Sequence, residues 1–358
     1  MNILIICGES SSNALGEKLA ITLQYHGHHV FSFGNHILAQ HSTQLLELDP
    51  TQHSVSFGQW SKKRRLIRLM KQALVNLKVR IDKAVIIDFP SYNFNIASLL
   101  SELNIPITTF VTPNFWIWKN QRLAKRILNY SEDVIAIFKP EFDFYRSLNT
   151  TKVHYFGHPL SLDIPSNFNA ASIGPTIGIF PGSRQGEVHH HLPIMLKIIQ
   201  SLPNLNFIIF CEHPSLQLMI QNSLTQKGLG HIPIQPKLNP SITYAITAPG
   251  TNSLRLALHG IPLTIIGYLN FWVYLLAKYI FRLNVNFVGL PNIILNEAVF
   301  PEYIQPKLNQ YHQISDQLMT FLNRTDLNEI YKKPFQTLQE ITAANDDYYE
   351  SIMKIILK

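Results

Sequence analysis

The sequence predicts an α/β protein built from two doubly wound parallel-sheet domains that face each other across a cleft. Short apolar runs alternate with helix-length segments along most of the chain, which is the pattern of βαβ units. The alternation stops over Pro159–Pro175, where Ser, Asn, Gly and Pro cluster. A chain of 358 residues also exceeds the roughly 250–300 residues that one core usually holds. We therefore expect a first domain over residues 1–165, a second over 173–335, and a helical tail over 336–358 that can pack back on the first.

Each predicted strand is a short apolar run. In the first domain these runs are Ile3–Cys7, Val30–Phe33, Ala84–Ile87, Ile107–Val111, Val134–Phe138 and Val153–Phe156, with helical segments such as Leu15–Tyr25 and Ile67–Leu77 between them. In the second domain they are Thr176–Phe180, Asn206–Phe210, Thr243–Thr247 and Leu263–Ile266. The first run lacks the basic flank of a signal peptide, and the chain becomes helical again from Leu318. Parallel sheets bind ligands at the carboxyl ends of their strands, so we expect the functional residues there.

The composition favours a polyanionic partner. The net charge is +7 and the pI is near 9.2, so nucleic acid, an anionic membrane surface or a phosphorylated substrate would each fit. No nucleic-acid-binding module is recognisable, and we expect no such partner. Both cysteines, Cys7 and Cys211, lie in apolar runs, which is typical of reduced core residues in a cytosolic protein.

Two segments bear on membrane contact. Ile261–Ala277 is apolar, but it contains Pro262 and is shorter than the ~20 residues of a spanning helix, which favours a core strand followed by an apolar helix. Lys278 and Arg282 lie one turn apart beyond it, which leaves an interfacial helix open. Phe57–Met70 mixes aromatic, apolar and cationic residues, and we expect it to contact anionic lipid.

The segment Ile177–Glu187 predicts a phosphate-binding turn. Its apolar residues form a strand that a Pro-Gly pair ends, and Ser183 can cap a helix that starts at once. Backbone N–H groups, the positive end of the helix dipole and Arg184 then meet at one point, which favours phosphate. A second turn, Ala248–Ser253, also follows apolar residues and opens a helix. Two such turns in one domain suggest a bound nucleotide diphosphate.

Asp88 is the candidate general base. It follows the apolar run Val85–Ile87, and partial desolvation at a strand end would raise its proton affinity to a useful value. A turn or helix-capping Asp fits this position equally well. The loop Gly8–Gly16 could line the cleft, although an ordinary βα connection is the simpler interpretation because the Rossmann glycine pattern is absent.

An aromatic block, Pro113–Trp118, is followed by cations such as Arg122. It suits a lipid or sugar acceptor whose phosphate meets the cations, and a core-packing helix edge fits it nearly as well. His189–His191 suggests a metal site, but consecutive helical residues point about 100° apart and no Cys or carboxylate lies at a matching spacing. The sequence predicts no metal and no cofactor.

Together these motifs resemble the lipid-A-disaccharide synthases, glycosyltransferases of the GT-B fold with two Rossmann-like domains. The resemblance runs over nearly the whole chain, and the blocks follow the order of the family. The matching blocks are Gly8-Glu9-Ser10-Ser11, Ile87-Asp88-Phe89-Pro90 with Asn93, Thr112–Trp116 with Trp118 and Arg122, Phe156-Gly157-His158-Pro159, Pro181-Gly182-Ser183-Arg184 with Glu187, Gly250-Thr251 with Leu254, and Leu290-Pro291-Asn292-Ile293. Any one block is a weak signal, whereas their common order is a strong one.

The resemblance implies a reaction and a location. The family transfers 2,3-diacylglucosamine from UDP-2,3-diacylglucosamine to 2,3-diacylglucosamine 1-phosphate (lipid X), with inversion. The products are the β-1,6-linked lipid A disaccharide and UDP, in lipopolysaccharide biosynthesis. The protein would be cytoplasmic and peripheral on the inner face of the inner membrane, and a homo-oligomer is left open.

The matched motifs also imply site residues. Asp88 would be the catalytic base. The UDP-sugar donor would contact Gly182, Ser183, Arg184, Glu187, Gly250, Thr251, Asn252, Arg255 and Asn292, with the Arg side chain at 184 and the helix N-terminus neutralising the departing UDP. The acceptor side would be formed by Gly8, Glu9, Ser11, Trp116, Trp118, Arg122 and His158.

The chain departs from the family pattern in three places. Ser12 and Asn13 stand where the family has Gly and Asp, and Ser91 replaces the second Asp of Ile-Asp-x-Pro-Asp. Arg255 stands where the family has a Glu that usually accepts hydrogen bonds from the ribose, and an Arg side chain has donors only.

The loss of that acceptor could cost roughly 1.5–3 kcal/mol of donor binding, unless another residue such as Asn252 or Glu297 takes over. The alternative is therefore a catalytically impaired or donor-altered relative that binds lipid or nucleotide. A different UDP-sugar enzyme on the same fold is a third interpretation, which explains the acceptor block less well.

Overall fold

The computed structural model describes residues 1–8, 10–48, 60–89, 92–164, 175–268, 287–324 and 326–358. They form two units: Met1–Leu162 together with Thr342–Lys358, and Asp163–Ile341. The boundary falls inside the predicted linker, and the returning tail begins at Thr342 rather than at residue 336.

The first unit contains a seven-stranded parallel sheet with the order β3-β2-β1-β4-β5-β6-β7. Its strands are β1 (Asn2–Cys7), β2 (His29–Gly34), β3 (Thr43–Glu47), β4 (Lys83–Ile87), β5 (Ile107–Phe110), β6 (Asp133–Ala136) and β7 (Val153–Tyr155). Its first helices are α1 (Ser10–Tyr25), α2 (His36–Ala39), α3 (Trp60–Val75), α4 (Asn93–Glu102), α5 (Gln121–Tyr130) and α6 (Lys139–Arg146).

The second unit contains a six-stranded parallel sheet with the order β10-β9-β8-β11-β12-β13. Its strands are β8 (Thr176–Phe180), β9 (Asn206–Phe210), β10 (Ile234–Gln235), β11 (Tyr244–Thr247), β12 (Leu263–Gly267) and β13 (Glu302–Ile304). The helices that follow are α7 (Gln185–Ser201), α8 (Pro214–Gln226), α9 (Thr251–Leu258), α10 (Leu290–Leu295), α11 (Tyr311–Leu322), α12 (Leu327–Thr342) and, back in the first unit, α13 (Tyr348–Ile356).

Both faces of the first sheet are covered by helices. Along β1, Ile3 and Ile5 belong to the core cluster that includes α1 and α13, whereas Leu4 and Ile6 belong to the cluster that includes α3 and α4. All four side chains are fully buried. A parallel strand buried on both faces carries a continuous apolar run, which is why β1 was recognisable in the sequence.

The tail is joined to the first unit just after β7. The N–H of His158 donates to the carbonyl oxygen of Thr342 at 2.8 Å. Gly157 has φ +91°, and a Cβ there would lie 2.1 Å from the carbonyl oxygen of Ala343. The glycine is therefore required for the close approach of the two backbones.

The structure contains strands that the hydrophobic pattern does not show. β3 is a half-exposed edge strand, and β10 and β13 are only two and three residues long. The helix α1 begins at Ser10 instead of Leu15, and β6 ends at Ala136 instead of Phe138. Most of the apolar segment Ile261–Ala277 lies outside the described residues, as does part of Phe57–Met70. Among the helices that are described, none has the length and apolar character needed to cross a bilayer.

Candidate functional site

The carboxyl end of β8 leads into a tight turn at Gly182. This residue has φ +123°, a conformation that side chains with a Cβ rarely adopt. A Cβ at this position would also lie 2.5 Å from the Cβ of Glu187. Both the backbone and the available space therefore require glycine. The helix α7 begins at Gln185, later than predicted, and Glu187 rather than Ser183 caps it.

The carboxylate of Glu187 gathers the hydrogen-bond donors of this turn. Its Oε2 accepts the N–H of Ser183 at 2.9 Å and that of Arg184 at 3.3 Å, and its Oε1 lies 3.0 Å from Nη1 of Arg184. A Glu at the third position of a helix commonly satisfies N–H groups in this way. Ser183 and Arg184 are themselves exposed. The donors predicted for phosphate are thus assembled at one point, and they hold an internal anion.

A second turn lies beside the first because β11 pairs with β8. The N–H of Ala248 donates to the carbonyl oxygen of Phe180 at 2.8 Å. Gly250 has φ +133°, and α9 begins at the next residue, Thr251. Asn252, in the same first turn, is half-buried. Two helix N-termini therefore lie at one edge of the sheet, an arrangement that favours a diphosphate.

The position of Arg255 is also explained by the strand order. Its Nη1 lies 3.7 Å from Oε1 of Glu212, and the two side chains are 39% and 71% exposed. Glu212 follows β9, Arg255 belongs to α9 after β11, and β9 and β11 flank β8. Glu297, the substitute acceptor suggested by the sequence, is exposed beyond the end of α10. A carboxylate therefore lies beside residue 255, but it belongs to Glu212, in the segment that follows β9.

Asn292 is fully buried and tied to its own loop. Its Nδ2 donates to the carbonyl oxygen of Phe300 at 2.7 Å and to Oε1 of Glu302 at 2.8 Å. Its Oδ1 accepts the N–H of Val299 at 3.1 Å and that of Phe300 at 2.9 Å. Both amide hydrogens and both lone pairs are thereby used. The structure gives Asn292 a supporting role in the loop and leaves it no free group for the predicted donor contact.

Asp88 follows β4, is half-buried and has φ +38°. Asp adopts this region more readily than most residues other than glycine. Its N–H donates to the carbonyl oxygen of Phe110 at 3.3 Å. Val111, just beyond the neighbouring strand β5, has φ +63°, which is unusual for a β-branched residue. Two non-glycine residues with positive φ therefore lie at this sheet edge, and such conformations are common at functional sites.

Gly8 lies next to the Asp88 turn, since β1 pairs with β4. A Cβ at Gly8 would lie 2.0 Å from the ring of Phe89. The glycine therefore makes room for the buried Phe89 ring and, through it, for the position of Asp88. Ser11 is exposed in the first turn of α1, while Glu9 lies outside the described residues.

The departures at Ser12 and Asn13 fall on buried side chains. Oδ1 of Asn13 accepts the N–H of Asn35 at 2.8 Å, and the carbonyl oxygen of Ser12 lies 3.2 Å from Sγ of Cys7. An Asp oxygen would accept the same bond from Asn35. The replacement of Asp by Asn therefore preserves this contact.

The aromatic block divides into a buried and an exposed part. Trp116 is buried with its ring centroid 5.5 Å from that of Phe138, whereas Trp118 is 45% exposed. Beyond them, an open pocket of about 490 Å³ is lined by Asn120, Arg122, Leu123 and Arg126. Guanidinium groups one helical turn apart suit a phosphate.

His158, assigned to the acceptor side by the sequence, lies in the interior of the first unit with 3% of its surface exposed. Its Nδ1 accepts the N–H of Leu160 at 3.1 Å, and its ring centroid is 5.0 Å from that of Phe138. Burial lowers the pKa of His158 to about 3, so the imidazole is neutral. His158 therefore connects the segment that follows β7 with the tail.

Sequence reasoning missed Glu141, a fully buried carboxylate. Oε1 of Glu141 accepts two hydrogen bonds from Thr112, one from the backbone N–H at 3.1 Å and one from the hydroxyl at 2.6 Å. Oε2 of Glu141 accepts the N–H groups of Ile137 at 3.0 Å and Phe138 at 3.3 Å. Burial raises the pKa of Glu141. The carboxylate thus joins the loops after β5 and β6, at the start of the aromatic block. The available signal was an acidic residue at the third position of α6.

Of the consecutive histidines, His191 is buried while His189 and His190 are exposed. Its Nδ1 lies 2.7 Å from the carbonyl oxygen of Glu187, and its Nε2 accepts the N–H of Tyr268 at 3.1 Å. His191 therefore links the start of α7 to the end of β12. Within the described ranges, no three His, Cys, Asp or Glu side chains are placed to hold a metal ion.

Two parallel-sheet α/β units in one chain are the architecture of the GT-B fold class. The same fold occurs in Acinetobacter baumannii MurG, with a TM-score of 0.56, 14% identity and coverage of 99% of both chains. It also occurs in a UDP-GlcNAc 2-epimerase from Neisseria meningitidis bound to UDP-GlcNAc, with a TM-score of 0.61, 13% identity and coverage of 100% of both chains.

The lipid-A-disaccharide synthetase family model matches residues 3–355, and the chain belongs to this family. Lipid-A-disaccharide synthase of Sulfurihydrogenibium sp. (strain YO3AOP1) is 27% identical over 315 residues, which covers 78% of each chain. That of Coxiella burnetii (strain Dugway 5J108-111) is 28% identical over 356 residues, 90% of this chain and 89% of the relative. The resemblance seen in the motifs is confirmed.

Proposed function

We propose that this chain catalyses the reaction of its family. It transfers 2,3-diacylglucosamine from UDP-2,3-diacylglucosamine to 2,3-diacylglucosamine 1-phosphate, forming the β-1,6-linked disaccharide and UDP. The observation that carries the proposal is the pair of glycine turns after β8 and β11, which brings the N-termini of α7 and α9 and the side chain of Arg184 to the same carboxyl edge of the sheet. Membership of the family supports the choice of sugar.

The donor diphosphate binds at these turns. The guanidinium of Arg184 and the N–H groups at the starts of α7 and α9 neutralise the charge that develops on UDP as the bond between the sugar and the phosphate breaks. Gly182 and Gly250 allow the backbone to approach the phosphates closely, because neither has a side chain in the way. Ser183 and Thr251 are exposed in the same turns and add hydroxyl donors.

Asp88 is the base in this proposal. Its carboxylate takes the proton of the acceptor's 6-hydroxyl while that oxygen forms a bond to C1 of the donor sugar, and the electron pair of the breaking C1–O bond leaves with UDP. Attack from the side opposite the leaving group inverts C1. The strand-end position, the partial burial and the glycine at residue 8 support this assignment.

The acceptor 1-phosphate binds near Arg122 and Arg126, which line the pocket on α5. The exposed ring of Trp118 is available to the sugar or to an acyl chain. These assignments place the phosphorylated end of the acceptor on the helix that follows the aromatic block.

The helix α3 supplies a membrane-facing surface. Leu66 is buried in the core of the first unit, whereas Arg64, Arg65, Arg68 and Leu69 are exposed. A cationic helix face with an exposed apolar residue suits the headgroup region of an anionic membrane. Peripheral association of this kind would bring the enzyme to its acylated substrates.

The test is acceptor-dependent UDP release by the full chain. Asp88→Asn is the preferred variant because Asn tolerates a positive φ and has nearly the same shape. We expect it to lower turnover by about 10²- to 10⁴-fold, the usual contribution of a general base, without changing UDP affinity. Asp143→Asn, on the exposed side of α6, is the matched control. Undiminished turnover in Asp88→Asn would remove the base assignment while retaining the reaction.

The second candidate function is a donor-altered or impaired relative, favoured by Arg255 at the position of the family Glu. The same assay separates the two. This candidate would bind UDP or lipid but release no UDP when the acceptor is added, under conditions in which a known family enzyme is active.

A further inference from the structure

The phosphate turn of the second unit holds an anion of its own. The carboxylate of Glu187 accepts the N–H of Ser183 at 2.9 Å and that of Arg184 at 3.3 Å, and it pairs with Nη1 of Arg184 at 3.0 Å. The hydroxyl of Ser183 is 3.5 Å from the same Oε2. A phosphate group at a helix N-terminus would use this same set: backbone N–H groups, a hydroxyl and a guanidinium.

The donors of this turn cannot form full hydrogen bonds to the Glu187 carboxylate and to a diphosphate at the same time. A backbone N–H donates one good hydrogen bond, and a carboxylate beside a diphosphate adds repulsion between like charges. Either the Glu187 side chain leaves the turn or the diphosphate binds with fewer partners.

The side chain of Glu187 has room to move out of the turn. Ser183, Arg184, Gln185 and Gly186 are all exposed, and the Glu187 side chain itself is 30% exposed. Its Cβ lies against Gly182, where any added carbon would be 2.5 Å away. The glycine therefore permits the side chain to fold onto the turn, while the solvent side is open for it to swing outward.

We propose that Glu187 is an internal competitor for the donor site: it occupies the phosphate-binding groups of the empty turn and is displaced when the diphosphate of the UDP-sugar binds. This inference rests on the proposed function, because it assigns regulation to the same donor site. The displaced carboxylate returns as UDP departs, so Glu187 lowers the affinity for UDP and promotes product release.

The test is binding of inorganic pyrophosphate and of UDP, by titration calorimetry, to the wild type and to Glu187→Gln. Gln keeps the length and an acceptor oxygen for the turn but removes the charge. We expect Glu187→Gln to bind both ligands more tightly, within the roughly 5- to 150-fold range typical of coupling between two binding events. Glu132→Gln, at an exposed carboxylate in the first unit, should bind both as the wild type does.

Equal or weaker binding by Glu187→Gln, with an unchanged melting curve, would overturn the proposal. Should this variant fail to fold, Glu187→Asp keeps the charge on a chain too short to reach all three partners. It should then bind pyrophosphate more tightly than the wild type, and wild-type affinity would count against displacement. If neither ligand binds any form of the protein, the donor site fails as well. If the wild type binds UDP and turns over but the variants bind no tighter, only the competition fails.

Discussion

The guanidinium of Arg255 lies 3.7 Å from the carboxylate of Glu212, and the two residues follow β11 and β9, the strands on either side of β8. An exposed ion pair of this kind contributes roughly 0–1 kcal/mol to stability. The more consequential aspect is chemical. The motif that this chain resembles has a carboxylate at position 255, and here a carboxylate lies beside that position, on the segment that follows β9.

If Glu212 accepts the ribose hydroxyls in place of the family carboxylate, Glu212→Gln should weaken UDP binding by roughly 10- to 150-fold, because hydrogen bonds to a charged acceptor contribute about 1.5–3 kcal/mol. Pyrophosphate has no ribose and should bind as well as before. Titration calorimetry with both ligands measures the difference, and Glu297→Gln is the exposed control. Parallel losses for UDP and pyrophosphate would argue against a ribose contact.

Glu141→Gln should destabilise the first unit and weaken acceptor binding. The amide nitrogen of Gln would face N–H donors that the carboxylate now accepts, and an unsatisfied buried donor costs about 1–3 kcal/mol. We expect a lower melting temperature and a higher acceptor KM, with UDP affinity unchanged because the donor turns belong to the other unit. Glu102→Gln, on the surface of α4, is the control. A lower melting temperature with an unchanged acceptor KM would restrict Glu141 to stability.

His158 should make stability fall with acid. Burial lowers its pKa from 6.5 to about 3 in the folded protein, so the unfolded chain binds the proton more readily. The contribution of the neutral imidazole is therefore present above pH 6.5 and is lost as the pH falls towards 3. Between pH 7 and pH 5 the loss is about 2 kcal/mol. Urea unfolding at both values measures it.

His158→Asn is the matched variant, since an amide oxygen can accept the N–H of Leu160 without titrating. Its free energy of unfolding should fall by about 2 kcal/mol less than that of the wild type over this interval. Other histidines are common to both proteins and cancel in the comparison. Equal losses in the two proteins would contradict a neutral His158.

Replacement of Arg64, Arg65 and Arg68 by Ser should weaken binding to vesicles that contain anionic lipid. Each cation near such a surface contributes about 1 kcal/mol, so the triple variant should partition roughly 100-fold less strongly. The same change at the exposed Lys307, Lys332 and Lys333 removes the same charge from the second unit and serves as the control. Equal effects of the two triple variants would indicate attraction by net charge instead of contact through α3.

Local pattern was sufficient to predict the sheet strands that carry the site. β8, Gly182 and Arg184 could be located because an apolar run, a break and a helix start follow each other directly in the chain. The same is true of β4 and Asp88. Short strands such as β10 and β13 have no such run, and their pairing depends on the sheet that already exists.

Contacts between distant residues could not be predicted in the same way. Glu212 and Arg255 are neighbours only because β9 and β11 flank β8, which is a property of strand order. Asn292 and His158 show a different limit. A motif indicates that a residue type is required, but a ligand contact and a buried internal hydrogen bond can impose the same requirement.

The return of the tail to the first unit has a consequence for the order of folding. α13 lies in the same core cluster as α1, and Tyr348 and Ile352 are buried there beside β1. During synthesis, α1 alone of these two helices is available to cover this sheet face, and the part that α13 buries stays exposed until the entire second unit has been made. The second unit, which is continuous in the chain, can complete its own core earlier. Loss of α13 would expose the core around β1, whereas the second unit would keep every segment of its own core.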